Sequence, residues 1–486
     1  MKLFKISFVI ILILSQSNLY SQLSYKQNFV VESDPRVELM SIIFMLAGNP
    51  EYSQCQLPEY KKDVLKYFDK YKEHEAVKLA QENRNKNGVS YDAVMSMAVH
   101  LKDAFTVELN LPLSQNPEKL DKRWKPDNAQ KFLEALKDFV SKSDFRKFIT
   151  EHAEFYKETD KRLTRIINRY AKLSWYESFF GRKSSGQFIL VPGYLTGGGN
   201  YGVSFKDDGN RIDQMYSVTA IPKVDSMGVP LFDPQMIPTV IHEFCHSYVN
   251  PVVYKHINEL KEAGEKIFPF VSKKMYEQAY GTWSTMMIES VVRACVNRYL
   301  IRNSNEAAVK NDIQYNIGRG FIWMDDFTKL FDEFENNRNS YIGLDEFFPK
   351  IVKFFNDYSL IIKDKIDAIE KEKEARFAEM REKGPKIVAI QPANGDEKVD
   401  PNTDIIIITF DREMKDLSWA FNRGNGTFPT VDGKPAYENG NKVLKLKVKL
   451  IPNTVYEFWL NSETNLGFKS ADNMPLVPTL IKFKTK

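Results

Sequence analysis

The stretch "PTVIHEFCHSYVNP", residues 238–251, sets two of the six histidines four positions apart, with Glu243 directly after the first. On a helix, positions i and i+4 lie one above the other, so His242 and His246 project from one face. Zinc takes neutral imidazole nitrogens, and a catalytic zinc keeps three protein ligands and one open position. The pair supplies two ligands, and Glu243 stands where a base for an attacking water is needed. With histidine this scarce, composition alone produces such a pattern roughly once in two hundred chains. A merely structural pair would also have to explain these polar side chains amid Val240, Ile241, Phe244 and Tyr248. Around the motif, Asp233 reads as a helix cap, Pro234 as a first helical residue, and Asn250-Pro251 as the end of the helix.

A third ligand has to come from outside this helix. His256 is close and follows the proline read as helix-ending. Glu289, in "MMIESVVRA", is the stronger candidate, because it is the only acid in an otherwise nearly apolar helix, 281–301. Burying a lone carboxylate is costly unless something compensates it, and a zinc ion does so. The other reading of Glu289 is an i,i+4 salt bridge to Arg293. An oxyanion-stabilising group is also expected. Tyr194, Tyr201, Tyr248, Tyr254, Tyr280 and Arg298 are candidates that spacing does not rank.

These residues together resemble a gluzincin-type metallopeptidase: a small sheet, an HExxH helix, then a helix carrying the ligand glutamate. Metzincins place a third histidine six residues beyond the second, where this chain has Val252. The runs "SDPRVELMSIIFMLAG", "HEFCHSYVNP" and "IESVVRA" are similar to a family of secreted bacterial proteins known only as a domain of unknown function, over roughly residues 30–350. The resemblance implies Zn2+ held by His242, His246 and Glu289, Glu243 as general base, and a peptide or protein substrate. One departure is plain. The best-known gluzincins carry an aspartate four residues after the ligand glutamate to orient a histidine, and here that place is Arg293. The orienting partner must come from elsewhere.

The rest of the chain is organised around this region. Its start, "MKLFKISFVIILILSQSNLYSQ", has the basic, apolar and small-polar order of a secretory signal, with cleavage expected near Ser21–Gln22. The apolar run is far short of the roughly 20 residues that cross a membrane, and no later segment is expected to span one. Residues 22–180 read as a helical region, from "DPRVELMSIIFMLAG" to the long amphipathic run "DFRKFITEHAEFYKETDKRLTRIINRYAKL"; His152 within that run has no second histidine at ligand spacing and reads as structural. Residues 181–360 form the zincin-like core. In it "GQFILVPGYL", "NYGVSF" and "DQMYSVTAI" read as strands, with "TGGGN" (196–200) as a hairpin connection and Asn200–Phe205 as an edge strand able to pair with an extended peptide. Residues 361–384 are a charged helical linker. Residues 385–486 alternate in the manner of strands separated by Pro/Asn/Gly turns. Within them, "PANGDEKVDPNTDIIIITFDREM" and "LIPNTVYEFWL" resemble bacterial Ig-like domains, which implies a spacer or adhesion module with cell-surface or glycan contacts and no chemistry of its own.

Bulk numbers limit the alternatives. At 486 residues the chain is too long for one core. The formal charge of +4 falls to +2 without Lys2 and Lys5, and no basic stripe marks a nucleic-acid partner. Three cysteines, Cys55, Cys245 and Cys295, exclude a disulfide framework. Cys245 and Cys295 read as packed thiols, one bridge between them being the other reading. The expectation is an α+β protein: a mainly helical zincin-like unit with a small sheet, followed by an all-β Ig-like sandwich. It would be an exported zinc metallohydrolase, in the periplasm, at the cell surface or outside the cell. The rival is a zincin-fold surface-binding protein with little catalysis, which would have no need of Glu243.

Overall fold

The computed structural model describes residues 29–115, 120–181, 186–206 and 213–486. The signal segment expected at 1–21 lies outside them. About half of the described chain is helical, and it divides into two compact units, residues 1–360 and 361–486. Among the described residues no helix is long and apolar enough to cross a membrane.

The first unit opens with strand β1 (Phe29–Val31) and helix α1 (Pro35–Leu46). Asp34 caps α1 by accepting from the Arg36 amide, and Pro35 takes the first helical position, where its missing N–H costs nothing. Nearly every residue of α1 is buried, as befits a helix apolar on all sides. Helices α2 (Pro58–Phe68), α3 (Glu75–Asn87), α4 (Asp92–His100), α5 (Pro126–Ser143), α6 (Phe145–Glu151), α7 (Ala153–Tyr170) and α8 (Trp175–Phe180) follow. The long amphipathic run expected from 144 onward is broken at His152 into α6 and α7. The His152 Nδ1 lies 2.9 Å from the Phe148 carbonyl oxygen and its ring packs on Phe148 and Tyr60, so local bonding and packing stop the first helix there.

Strands β2 (Gln187–Gly193), β3 (Tyr201–Lys206) and β4 (Asp213–Ala220) join β1 in one sheet, ordered β1-β2-β4-β3. β1, β2 and β4 run parallel, and β3 is the antiparallel edge. The expected hairpin through 196–200 is therefore not formed: β2 and β3 are not neighbours, and the hairpin partner of β3 is β4, with Tyr201 opposite Val218. The physical reason lies in β2. Its Phe188–Val191 run is buried, and its two edges are taken by β1 and β4 in parallel pairing, which leaves β3 to the far edge of the sheet.

Helix α9 (Ile237–Lys255) follows a short turn, Pro234–Met236, which Asp233 caps by accepting from the Gln235 amide. Pro251 does not end α9, contrary to its reading in the sequence; the helix runs one more turn. Proline forfeits one backbone hydrogen bond there. Val249 and Val253 on either side are fully buried, and their packing outweighs the loss. Next come α10 (Ile257–Tyr276), α11 (Trp283–Asn303), capped by the Thr282 hydroxyl accepting from the Thr285 amide, α12 (Glu306–Gly318) and α13 (Met324–Asn336). Helix α14 (Leu344–Lys383) runs into the segment read as a charged helical linker.

The second unit carries β5 (Ile387–Gln391), β6 (Ile405–Phe410), β7 (Phe421–Arg423), β8 (Thr430–Val431), β9 (Ala436–Glu438), β10 (Val443–Lys449), β11 (Val455–Leu460) and β12 (Thr479–Lys484). One antiparallel sheet is ordered β8-β10-β6-β5, with β9 also paired to β10, and a second is ordered β7-β11-β12. Period-2 alternation turns Ile406, Ile408, Leu444 and Leu446 inward to meet Phe458, Ile481 and Phe483 in one core. With a core of its own, a fragment of residues 361–486 is expected to unfold in a single cooperative denaturant transition. Within it Ile408→Ala should cost about 2–5 kcal/mol, the range for emptying a fully buried aliphatic position.

Candidate metal centre

Helix α9 has two differently occupied sides. Phe244 packs edge-on against Phe188 of β2 and Phe29 of β1, and Tyr248 stacks on Tyr176 and Phe180 of α8. This fixes the roll of the helix. His242 and His246 then face α11, with 16% and 17% of their side chains exposed, so solvent reaches them.

On α11, Glu289 sits opposite the two rings and is only 6% exposed. The two Nε2 atoms are 3.3 Å apart. His242 Nε2 lies 3.5 Å from Glu289 Oε2, and His246 Nε2 lies 3.4 Å from Oε1. Tetrahedral zinc, with bonds of about 2.0–2.1 Å, separates its ligand atoms by about 3.3–3.4 Å. Each imidazole lies nearest a different oxygen of Glu289, and the three side chains bring their ligand atoms within reach of one ion. The donor set, two nitrogens and a carboxylate, is that of a catalytic zinc. Among the described residues this is the grouping of His, Cys, Asp or Glu whose ligand atoms converge in this way.

The surroundings support each group. His246 Nδ1 lies 3.1 Å from Asn250 Oδ1; donating there leaves Nε2 as the lone-pair nitrogen that a metal requires. Asn250, legible in sequence only as a helix terminator, thus supplies the orienting partner that position 293 does not. Burial lowers the His242 pKa to about 3, keeping its ring neutral. For Glu289, burial acts to raise the pKa, but the Arg293 guanidinium and the Tyr280 hydroxyl oppose it, and the pKa lies below the usual carboxylate value. The Tyr280 hydroxyl donates to Glu289 Oε2 at 3.0 Å, and Arg293 Nη2 lies 3.3 Å from the same oxygen. The ion pair with Arg293 and the position opposite the histidines therefore coexist.

Glu243 is 8% exposed and points towards the edge strand β3. Burial raises its pKa to about 7, partly opposed by His246 and by the backbone N–H of Gly202. A Cβ at Gly202 would stand 2.7 Å from the Glu243 carbonyl oxygen and 3.1 Å from its Oε2. Only glycine allows β3 to approach Glu243 this closely, and no pattern in the sequence marks it.

The remaining candidates separate clearly. Of the five tyrosines, Tyr280 is hydrogen-bonded to Glu289 of the cluster. Tyr194 bonds Ser33, Tyr248 is stacked on the far side of α9, Tyr254 is 59% exposed, and Tyr201 is buried beside Gly199. Arg298 is held by Asp332 and Glu335. Cys245 and Cys295 are free and fully buried, packed as small apolar side chains.

His256 ends α9 away from the cluster. Its Nε2 is 2.8 Å from Asp345 and its Nδ1 2.7 Å from Glu259. Burial opposes its charge, but these two bonds outweigh it and the pKa is raised. A raised histidine stabilises the fold fully below the unfolded value of about 6.5, and the contribution disappears as pH rises through the folded value. In His256→Gln the decline of stability above about pH 6.5 should be shallower than in the unsubstituted protein, as measured by denaturant titration across pH 5.5–8.5.

The chain matches the family described as "Domain of unknown function (DUF4932)" over residues 29–354. No curated protein matches it. Among solved structures, the S-layer protein rSbsC and domains 1–6 of surface layer protein SbsC each share 11% identity over 51% of this chain, with a TM-score of 0.16. This chain spans 33% of the length of each, and a likeness so slight carries no structural or functional weight. The family match covers most of the chain and contains His242, Glu243, His246 and Glu289, so the protein belongs to the DUF4932 family.

Proposed function

We propose that the protein is an exported zinc-dependent hydrolase of the gluzincin kind, cleaving peptide bonds. The reading rests on one observation: the Nε2 atoms of His242 and His246 lie 3.3 Å apart, they are 3.5 and 3.4 Å from the two oxygens of the Glu289 carboxylate, and Glu243 adjoins them, a donor set that suits a catalytic zinc. Zinc, when bound there, supplies Lewis acidity that polarises water and a carbonyl oxygen. Glu243 takes the proton of the attacking water on its carboxylate and returns it to the leaving amine; a pKa near 7 suits both transfers. The Gly202 amide keeps that carboxylate from rotating away. Tyr280, whose single hydroxyl proton is committed to Glu289, orients that carboxylate. The edge strand β3, running beside Glu243, suits a substrate bound as one more extended strand.

Three further parts of the reading have their own support. The basic and apolar start of the chain supports export. Two antiparallel sheets on one core support an Ig-like identity for the second unit, with a spacer or surface-contact role. The intact base is an argument against a binding protein that retains only the fold.

Glu243→Gln should keep its zinc and lose peptide hydrolysis by roughly 10²–10⁴-fold, the range for a general base; activity within about tenfold of the unsubstituted protein would refute the role. Glu289→Ala should lose zinc on dialysis, since two histidines alone leave the ion under-coordinated. Elemental analysis giving one zinc per chain in that variant would remove the glutamate from the ligand set.

A further inference from the structure

The carboxylate of Glu289 is anchored on one oxygen. The Tyr280 hydroxyl donates to Oε2 at 3.0 Å, and Arg293 Nη2 lies 3.3 Å from the same atom. Nη2 also donates to the Tyr280 hydroxyl oxygen at 3.0 Å, so the three groups close a ring at Oε2. A tyrosine hydroxyl has one proton to give, and here it goes to Glu289 while a lone pair takes the guanidinium. The ring keeps its shape only while Arg293 stays in place. A long, flexible side chain does so only where something holds it.

What holds it is the end of α12. Arg293 Nη1 donates to Asn316 Oδ1 at 2.7 Å, and the guanidinium lies over the Phe321 ring, 4.6 Å from its centre. Asn316 is buried, and its amide can point only one way. Nδ2 donates to Asp312 Oδ2 at 2.8 Å, where a carboxylate can only accept; Oδ1 is thereby turned to Arg293, which can only donate. The backbone is fixed as well. Gly320, at φ +99°, turns the chain so that the Phe321 amide donates to the Asn316 carbonyl at 3.0 Å. A neutral amide thus stands between Arg293 and Asp312. Among the described residues Glu289 is the carboxylate within ion-pair distance of Arg293, and Asp312 reaches the guanidinium through Asn316.

We infer that Asn316 is a positioning residue for the metal centre: acting through Arg293, it holds the Glu289 carboxylate turned towards His242 and His246 and so sets the affinity for zinc. This rests on the metallohydrolase reading above and adds to it a residue from a third helix.

Asn316→Leu is the informative substitution. It is close in size and neutral, so the charge around the metal is unchanged while the hold on Arg293 is lost. Zinc affinity is read on the full chain by competition with a chromophoric chelator, and the denaturation midpoint of the metal-free chain is read beside it. Asn316→Leu should weaken zinc binding roughly 10–100-fold, the range for removing an outer partner of a metal ligand. In an Arg293→Gln background the same substitution should change the affinity by less than about twofold, since its route to Glu289 is already gone. A loss below about tenfold in a folded Asn316→Leu chain overturns the proposal and leaves Asn316 as a packing residue that moves the midpoint alone. An equal loss in both backgrounds overturns it too, because the effect then bypasses Arg293. Should Asn316→Leu not fold, Asn316→Ser, which admits water to both partners, is read against the same thresholds. Failure of the underlying reading looks different: the unsubstituted chain would hold no zinc, and the proposal would fall with it.

Discussion

The first unit is organised around a buried carboxylate. Glu289 lies in a helix whose neighbours are methionine, isoleucine and valine, where an uncompensated negative charge would be expensive. Its compensation comes from several elements at once: two rings from α9, a hydroxyl from the loop before α11, and a guanidinium one turn along α11 itself. Each of those groups is held in turn, His246 by Asn250 and Arg293 by Asn316. The packing of α9 against α11 is therefore constrained by polar geometry as well as by apolar fit, and buried polar groups of this kind are costly when only partly satisfied.

That constraint explains features of α9 that otherwise look unfavourable. A helix with proline inside it gives up a hydrogen bond, and one carrying two histidines and a glutamate among aromatic residues exposes polar groups to an apolar environment. The aromatic side, Phe244 and Tyr248, registers the helix against the sheet and α8. With that roll fixed, His242, Glu243 and His246 have only one direction in which to point. The sheet contributes on the same principle. Both edges of β2 are taken by β1 and β4, which leaves the polar, glycine-containing β3 for the edge beside Glu243.

Membership of the DUF4932 family carries no assigned chemistry, so the functional argument rests on side chains rather than on kinship. The three ligand candidates and Glu243 sit in the matched region and in the first compact unit, whereas the second unit builds its core from its own strands.

By itself the sequence determined those features that depend on local periodicity and spacing. A four-residue interval on a helix places His242 and His246 together whatever the rest of the chain does, and an acid alone among apolar neighbours, Glu289, signals a compensated burial. The helical first half and the strand-rich tail were legible for the same reason, whereas the choice between packed thiols and a Cys245–Cys295 bridge was not. Tertiary structure decided what depends on partners distant in the chain. That β3 pairs with β4 and not with β2, that α9 continues past Pro251, and that Tyr280 is the tyrosine bonded to the cluster all follow from packing between separate elements. Gly202 is the plainest case. Nothing near it in sequence distinguishes it from other glycines, and its importance arises only because a sheet edge and a helix, some forty residues apart along the chain, approach too closely to admit a Cβ.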